Sequence, residues 1–325
     1  MVVFVVRRLL YSIPVLFAAS ILIFVSVTAV GDPLAQLHQD PRISDVTFQL
    51  VTERKHLDES IAVQYGYWLK DAVTNWFGTP LLQPGSRISD DLKRVIPHTL
   101  QLILLSEFFS LLFGISIGVY AAVRQYSLFD YSATALSFIG FALPVFWLAL
   151  MLQVLFTNIF INWNVRIFYT SGLSSTDAGH GVHFWLDRLQ HLALPAMTLS
   201  LVTIALYSRY MRTAMLEVVN SDYVRTARAK GLWERRVVLR HALRNALIPL
   251  VTVSALNIGG LLGGAVITET IFQIDGMGPY LLQNLLAQDA YPVMAWLMVA
   301  ATIVIAFNLL ADVVYAYIDP RIRYD

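Results

Sequence analysis

Ionisable side chains that could do chemistry in this sequence lie in a few short stretches. Glu107, in the run LILLSEFFSLL, is an acidic residue deep in an apolar segment, and such a residue is a functional hypothesis because its burial is costly. It either faces a polar cavity, or pairs within a helix bundle or caps a helix break. His180 and His183 are three residues apart, but glycines flank them and no third ligand is near, so we expect no metal site.

Sequence motifs for zinc-dependent proteolysis and for P-loop ATP hydrolysis are not found. The metalloprotease pattern HExxH and the phosphate-binding pattern GxxxxGK[ST] are both absent from the sequence, so the chain cannot hydrolyse ATP with a P-loop. It contains no cysteine, which excludes disulfides, thiolate metal sites and cysteine nucleophiles. We expect no catalytic residues and no cofactor in this chain, and any active process must draw its energy from another subunit or from a gradient.

Basic side chains are concentrated in residues 221–249, SDYVRTARAKGLWERRVVLRHALRNALIP. Seven of the first 24 residues of this stretch are arginine or lysine. Ser221 or Asp222 can cap a short helix, and Gly231 would end it. Three- and four-residue spacings place several side chains on one face of that helix. This face would carry Tyr223, Thr226, Ala227 and Lys230.

A second helix is expected from Glu234 to Asn245, before Pro249 opens the next apolar segment. Its arginines recur every four residues and so share one stripe: Arg236, Arg240 and Arg244, with Val238 and Ala242 on another. A loop that binds anionic lipid headgroups would explain the arginines alone. A docking element for a cytoplasmic partner would also explain the helix pair broken at a glycine and the small-residue face.

The elements that position these residues are membrane-spanning helices. The composition is 57% hydrophobic and 14% charged, far from the roughly 25% charge of soluble domains, which indicates a polytopic membrane protein. A bilayer core of about 30 Å needs roughly 20 apolar residues in a helix. Six runs meet this requirement: 9–30, 99–122, 131–158, 192–210, 246–268 and 291–317.

The distribution of the 23 lysines and arginines predicts the orientation. With both termini in the cytoplasm, 14 of them lie on that side, nine of these in 209–245, whereas the short outer connections carry only two. The seven in 31–98 count for less, because long loops translocate largely regardless of charge. We therefore predict an all-α integral membrane protein with six transmembrane helices, N-in/C-in, and no nucleic-acid partner.

Three regions follow from this topology. Residues 1–30 form the cytoplasmic N-terminus and the first transmembrane helix, and the mixed, polar segment 31–98 forms a small external subdomain. Residues 99–325 form a five-helix core with a cytoplasmic loop at 210–245. In the fifth span, glycines occur twice at small-xxx-small spacing, which suits close helix packing or a helix that lines a pathway. These glycines are Gly259, Gly260, Gly263 and Gly264.

Several runs, in order, resemble the permease subunits of ABC importers, in the dipeptide and oligopeptide branch of the OppB and DppB type. The basic run DYVRTARAKGLWERRVVLRHALRNALIP resembles their cytoplasmic coupling loop. Where the general importer signature begins Glu-Ala-Ala, this sequence has Arg225, Thr226 and Ala227, as is typical of the peptide branch. The other similar runs are RRLLYSIPVLF at 7–17, HLALPAMTLSL at 191–201, GGLLGGAVITETIF at 259–272, GMGPYLLQNLLAQDAYPV at 276–293 and DVVYAYIDPRIRY at 312–324.

The resemblance implies a permease fold and a coupling helix that inserts into an ATPase subunit. The residues it implies for that contact are Tyr223, Arg225, Thr226, Ala227 and Gly231. It further implies a second homologous permease, two ATP-binding subunits that hold ATP and Mg²⁺, an external solute-binding protein, and surrounding lipid in a bacterial or archaeal plasma membrane. Substrates associated with the branch are dipeptides, oligopeptides, glutathione and nickel chelates, and this sequence leaves the choice among them open.

A gradient-driven secondary transporter is the alternative. Such a protein usually has intramembrane proton or ion carriers and an internal repeat. Glu107 is the only carrier candidate deep in a predicted span, and no repeat is visible.

Overall fold

The computed structural model describes residues 2–30, 45–82 and 85–318, which form helices and the connections between them. Within these residues, six helices are long and apolar enough to cross a membrane, which confirms the predicted number. A helix suits this role because it satisfies all of its backbone hydrogen bonds internally. In chain order the helices are α1 (Val2–Val30), α2 (Asp45–Lys55), α3 (Ile61–Thr74), α4 (Ile88–Val123), α5 (Leu128–Ala142), α6 (Val145–Trp163), α7 (Val182–Val219), α8 (Asp222–Ala229), α9 (Glu234–Ile271), α10 (Met277–Leu286) and α11 (Ala290–Ile318).

The third predicted span, 131–158, is wrong as a single helix. The chain instead forms α5 and α6, separated by Leu143 and Pro144, whose backbones are extended with ψ of 127° and 133°. Proline has no amide hydrogen for the helix ladder, and its ring disfavours the helical conformation in the preceding residue. With 15 residues, α5 is a shorter apolar helix, and α6 is the candidate span.

The separate basic helix predicted from Glu234 to Asn245 is also wrong. α9 runs continuously from Glu234 to Ile271 and passes through Pro249. One turn, Val237–Ala242, has π-helical hydrogen bonding, and the regular α-helix resumes at Leu243. A proline inside a membrane helix is tolerated where the neighbourhood compensates for its missing amide. The basic segment and the fifth span therefore form one continuous helix.

The chain forms two compact units. The first unit contains Leu100–Ile274 with Met1–Val5 and Phe307–Asp325, and the second contains Val6–Thr99 with Asp275–Ala306. The grouping of 275–306 with 6–99 is not anticipated by the sequence analysis. The boundaries that we predict at residues 30 and 98 stay predictions.

The core of the first unit joins α7, α8 and α9. Its fully buried side chains include Met211 and Met215 of α7, Val224 of α8, and Val237 and Ala242 of the π-helical turn. These side chains are apolar, so their burial removes apolar surface from water and adds dispersion contacts, both of which stabilise the fold. This cluster is the base on which α8 rests.

The second unit has an aromatic cluster and a buried carboxylate. Phe24 of α1 and Trp68 of α3 are buried, with ring centroids 5.6 Å apart. Asp289, which precedes α11, accepts hydrogen bonds from the backbone amides of Leu81 and Leu82 at 2.9 and 3.0 Å. Burial raises the pKa of Asp289 despite these bonds. The loop before α4 is thus tied to the start of α11.

Candidate functional site

The short helix α8 carries most of the predicted contact residues. It follows Ser221, whose hydroxyl donates to the carbonyl of Val218 at 2.5 Å and makes no side-chain cap on α8. α8 ends at Ala229, two residues before Gly231, as the sequence predicts. Gly231 has φ of +76°, a conformation that glycine adopts without strain, and a Cβ added there would meet no described atom within 4 Å.

One face of α8 is fixed to the core of the first unit. Val224 and Ala227 are only 0% and 6% exposed and belong to the core cluster. The opposite face presents Tyr223, Arg225 and Thr226 to solvent, and Gly231 is also exposed. Although the sequence analysis groups Ala227 with Tyr223 and Thr226, the structure buries it, and its small side chain lets α8 approach the core closely.

Two side-chain contacts join α8 to α9 across the glycine turn. Arg228 donates two hydrogen bonds to the carboxylate of Glu234, from Nη2 at 2.7 Å and from Nε at 3.1 Å. The amide of Asn245 donates to the hydroxyl of Tyr223 at 2.8 Å. A bidentate contact of arginine with a carboxylate fixes orientation as well as distance. α8 and the start of α9 therefore present one surface of defined shape.

Trp233 is a candidate contact residue that the sequence analysis missed. It lies between Gly231 and α9, and its side chain is 85% exposed. The arginines predicted to share a stripe are exposed nearby: Arg236, Arg240 and Arg244. Tryptophan and arginine are enriched in protein–protein interfaces, and here the two residue types lie close together in the sequence. The available sequence signal was an aromatic residue inside a strongly basic run.

The predicted glycines of α9 do not share one environment. Gly260 and Gly263 lie on an exposed stripe of the helix, and a Cβ on Gly263 would meet no described atom within 4 Å. Gly264 packs on α7, because a Cβ there would lie 3.3 Å from Cδ2 of Leu199, and Gly259 is half-buried. The stripe recurs every three or four residues along α9: Pro249, Thr252, Leu256, Gly260, Gly263, Ile267 and Thr270.

The closest helix approach among the described glycines occurs at two that the sequence analysis did not select. A Cβ on Gly118 of α4 would lie 2.6 Å from the Cβ of Met211, and one on Gly114 would lie 2.7 Å from the Cβ of Tyr207. Real Cβ atoms do not approach other atoms so closely. Glycine at both positions therefore lets α4 lie directly against α7, as small residues do in membrane helix pairs.

Glu107 belongs to a hydrogen-bonded cluster that joins three membrane helices. Its side chain is 8% exposed, and the hydroxyl of Tyr207 in α7 donates to its carboxylate, 2.9 Å from Oε1 and 3.2 Å from Oε2. Asn257 of α9 donates to the Tyr207 hydroxyl at 3.3 Å. Of the alternatives left open by the sequence, the structure shows Glu107 paired within the bundle.

Two patterns with catalytic or metal-binding spacing do not form sites in the described part of the chain. The run GISIG at 114–118 has the spacing of a nucleophile elbow, but it lies inside α4, where Ser116 donates to the carbonyl of Leu112 at 2.6 Å. His180 and His183 are exposed. Among the described residues, no group of three His, Cys, Asp or Glu side chains is placed so that it could hold a metal ion.

Six helices that are long and apolar enough to cross a membrane define a multi-pass membrane protein, and the short helix α8 is amphipathic. The model of the family described as "Binding-protein-dependent transport system inner membrane component" matches residues 114–324. The chain belongs to this family, the ABC-transporter permeases, and to its dipeptide and oligopeptide branch. It is accordingly a multi-pass protein of the plasma membrane.

Relatives in the peptide branch match along their whole length. "Oligopeptide transport system permease protein AppB" of Bacillus subtilis (strain 168) is 39% identical over 325 residues, covering 100% of both chains. "Dipeptide transport system permease protein DppB" of Alkalihalophilus pseudofirmus is 36% identical, also over 100% of both chains. "Oligopeptide transport system permease protein OppB" of Mycobacterium bovis is 38% identical over 98% of both chains.

Solved structures show the same fold. The MetNI methionine ABC transporter, in an inward-facing conformation, matches with a TM-score of 0.54 and 17% identity over 70% of this chain and 96% of that chain. An amino acid ABC transporter with histidines matches with a TM-score of 0.51 and 12% identity over 70% of this chain and 94% of that chain.

Proposed function

We propose that this chain is one permease subunit of an ATP-driven importer of short peptides and that it couples to ATPase subunits through α8 and the start of α9. The observation that carries the proposal is the two-sided character of α8. Val224 and Ala227 fix one face to the core, while Tyr223, Arg225 and Thr226 are exposed on the other. A loop that only bound lipid headgroups would not need a helix anchored in this way.

Movement of α8 can reach the membrane helices through packed contacts. Its buried face joins the cluster formed with α7 and α9, and α9 continues from Glu234 to Ile271 without a break. The cluster of Glu107, Tyr207 and Asn257 further ties α4, α7 and α9 together. In the proposed cycle, ATP binding closes two ATPase subunits and draws α8 with them, which opens the translocation path outward. Hydrolysis and product release return it inward.

The proposal assigns a place to each partner. A second homologous permease would face the exposed stripe of α9, where Gly260 and Gly263 leave room for close approach or for a substrate path. With N-in/C-in topology, a solute-binding protein would deliver substrate on the side of residues 31–98. ATP and Mg²⁺ would be held by the ATPase subunits, because this sequence has no P-loop motif. Membrane lipid would cover the remaining apolar helix faces.

A peptide is the proposed substrate class. Support comes from relatives with oligopeptide and dipeptide names that match the chain from end to end. Support for the permease architecture comes from the family model, which covers the segment containing α8 and α9.

The test is affinity purification of the tagged chain from gently solubilised membranes, followed by identification of the bound chains and measurement of ATPase activity. We expect a second permease and P-loop subunits to copurify. The double variant Tyr223→Ala/Arg225→Ala should lose the P-loop subunits and keep the second permease, since both side chains are exposed and the buried contacts of Val224 and Ala227 remain.

A matched control is Tyr131→Ala/Arg124→Ala, which removes an exposed tyrosine and an exposed arginine outside α8. Its complex should be unchanged. Recovery of the chain without P-loop subunits, together with uptake driven by a proton gradient, would refute the proposal and favour a secondary transporter with Glu107 as the residue to study.

A further inference from the structure

A cavity of about 480 Å³ in the second unit has a strongly basic lining. Four basic side chains and one carboxylate line it, so its formal charge is +3: Arg54, Lys55, Arg87, Lys93 and Asp71. Neutral hydrogen-bonding side chains, among them Asn75 and Ser89, complete the wall. A concave site with one dominant sign of charge concentrates ions of the opposite sign.

Most of this positive charge is not neutralised by the described part of the chain. There, the side chains of Arg54, Arg87 and Lys93 take part in no ion pair or hydrogen bond, and Arg87 and Lys93 are exposed. Asp71 accepts a hydrogen bond from the amide of Asn75 at 3.0 Å. The exposed basic groups are therefore available for an anion that enters the cavity.

Lys55 is the buried member of the set. Its Nζ donates to the carbonyl of Thr79 at 2.7 Å and lies 4.3 Å from the ring centroid of Tyr291. An ammonium group has three N–H donors, and a buried cation is costly unless a counter-charge is near. Burial lowers the pKa of Lys55, which reflects this cost. The carboxylates of Asp71 and Asp289 partly offset this cost, and an anion in the cavity would add a further counter-charge.

We propose that this cavity binds the carboxylate end of a short peptide, with Arg87 and Lys93 as its direct partners and Lys55 as the buried counter-charge. The inference rests on the proposed function, which supplies the peptide. A volume of about 480 Å³ falls within the roughly 300–1,000 Å³ of small-molecule sites and is concave, which suits a peptide better than a flat protein surface. Asp71 offers an acceptor to the ammonium end of the same peptide.

The test measures binding to the purified full-length chain in lipid nanodiscs by isothermal titration calorimetry. The probes are trialanine, C-terminally amidated trialanine and inorganic phosphate. We expect trialanine to bind and its amide to bind about tenfold more weakly or worse, because the amide lacks the charge that strengthens hydrogen bonds to arginine and lysine. The affinity for inorganic phosphate distinguishes a peptide site from a site that binds any phosphate, including a lipid headgroup.

Variants then locate the binding. Arg87→Gln and Lys93→Gln should each weaken trialanine binding about tenfold and leave the affinity for the amide unchanged. Lys70→Gln is the matched control, because Lys70 is an exposed lysine of the same unit outside the cavity. Thermal unfolding of each variant checks that it is folded. Equal affinity for trialanine and its amide, no binding of either, or phosphate binding as tight as that of trialanine would overturn the inference.

An uptake assay on the assembled complex distinguishes a failure of the cavity inference from a failure of the proposed function. If the wild-type complex takes up peptide and Arg87→Gln takes it up equally well at peptide concentrations below half-saturation, the cavity inference fails and the proposed function stands. If the wild-type complex takes up no peptide, the proposed function fails, and the cavity inference fails with it.

Discussion

A methyl group added at Gly118 tests whether α4 and α7 need a glycine where they meet. In Gly118→Ala the new Cβ would lie 2.6 Å from the Cβ of Met211 and 2.6 Å from the carbonyl oxygen of Ser208. Neither atom can rotate out of the way, so the two helices must separate. Gly263→Ala in α9 is the matched control, because its Cβ would meet no described atom within 4 Å.

The expected magnitudes combine a packing cost with a gain in helix propensity. Forcing an extra carbon into a packed interior costs about 1–3 kcal/mol. Replacing glycine by alanine inside a helix gains roughly 1 kcal/mol. Gly118→Ala should therefore lower the free energy of unfolding by up to about 2 kcal/mol. Gly263→Ala should leave it unchanged or raise it by as much as about 1 kcal/mol.

The difference between the two variants is the most informative quantity, because the propensity gain is common to both. It should be about 1–3 kcal/mol, measured by unfolding of the purified proteins in the same detergent. Equal stability of Gly118→Ala and Gly263→Ala would refute the close approach of α4 and α7 at this glycine. In the assembled complex, Gly263→Ala should reduce transport without loss of stability, because the exposed stripe is proposed to face the partner permease or the substrate path.

Three further predictions concern single side chains. Trp233→Ala should change stability by less than about 0.5 kcal/mol. It should weaken ATPase-subunit binding by roughly 30-fold in a pull-down titration, whereas the exposed control Trp185→Ala should bind normally. Asp130→Asn removes the buried partner of Arg212, whose Nε and Nη2 lie 2.5 and 2.8 Å from its carboxylate oxygens. Because Arg212 is 28% exposed, we expect a loss of about 1–3 kcal/mol rather than the full cost of a buried charge. The hydrogen bonds from Arg212 lower the pKa of Asp130 below its ordinary value, so this stabilisation should be present at pH values well above the ordinary carboxyl pKa and be lost as the pH falls through the lowered pKa, which acid unfolding can measure. Glu107→Leu should destabilise the chain by about 1–3 kcal/mol in thermal unfolding, since the Tyr207 hydroxyl loses its acceptor. Glu107→Gln keeps an acceptor oxygen and should have a much smaller effect. Equal stability of the two variants would contradict the hydrogen-bonded cluster.

Local features of the sequence were sufficient for much of the fold. The number of spans follows from hydropathy, because the thickness of a bilayer fixes the length of an apolar helix whatever its neighbours. The end of α8 near Gly231 follows from the conformational freedom of glycine, which is also local. The family follows from ordered motifs along the chain, and full-length relatives confirm it.

Local sequence alone does not determine whether each proline interrupts its helix. Pro144 separates α5 from α6, whereas Pro249 lies inside continuous α9. The two prolines lack the same amide, so the difference comes from their surroundings: Ala246 and Leu250, on either side of Pro249, are each only 1% exposed and hold that part of α9 in the core. The sequence marks a possible break, and packing decides whether it occurs.

Only the tertiary structure decided which side chains meet. Glu107 and Tyr207 are 100 residues apart in the chain and 2.9 Å apart in the fold, and no spacing rule connects them. Ala227 is buried although its helix also has an exposed face, because the core of α7 and α9 lies on its side. The two glycines show the same dependence on tertiary structure. Gly118 permits close packing, whereas Gly263 leaves an open stripe, because the element opposite each glycine determines what occupies the space of the absent side chain.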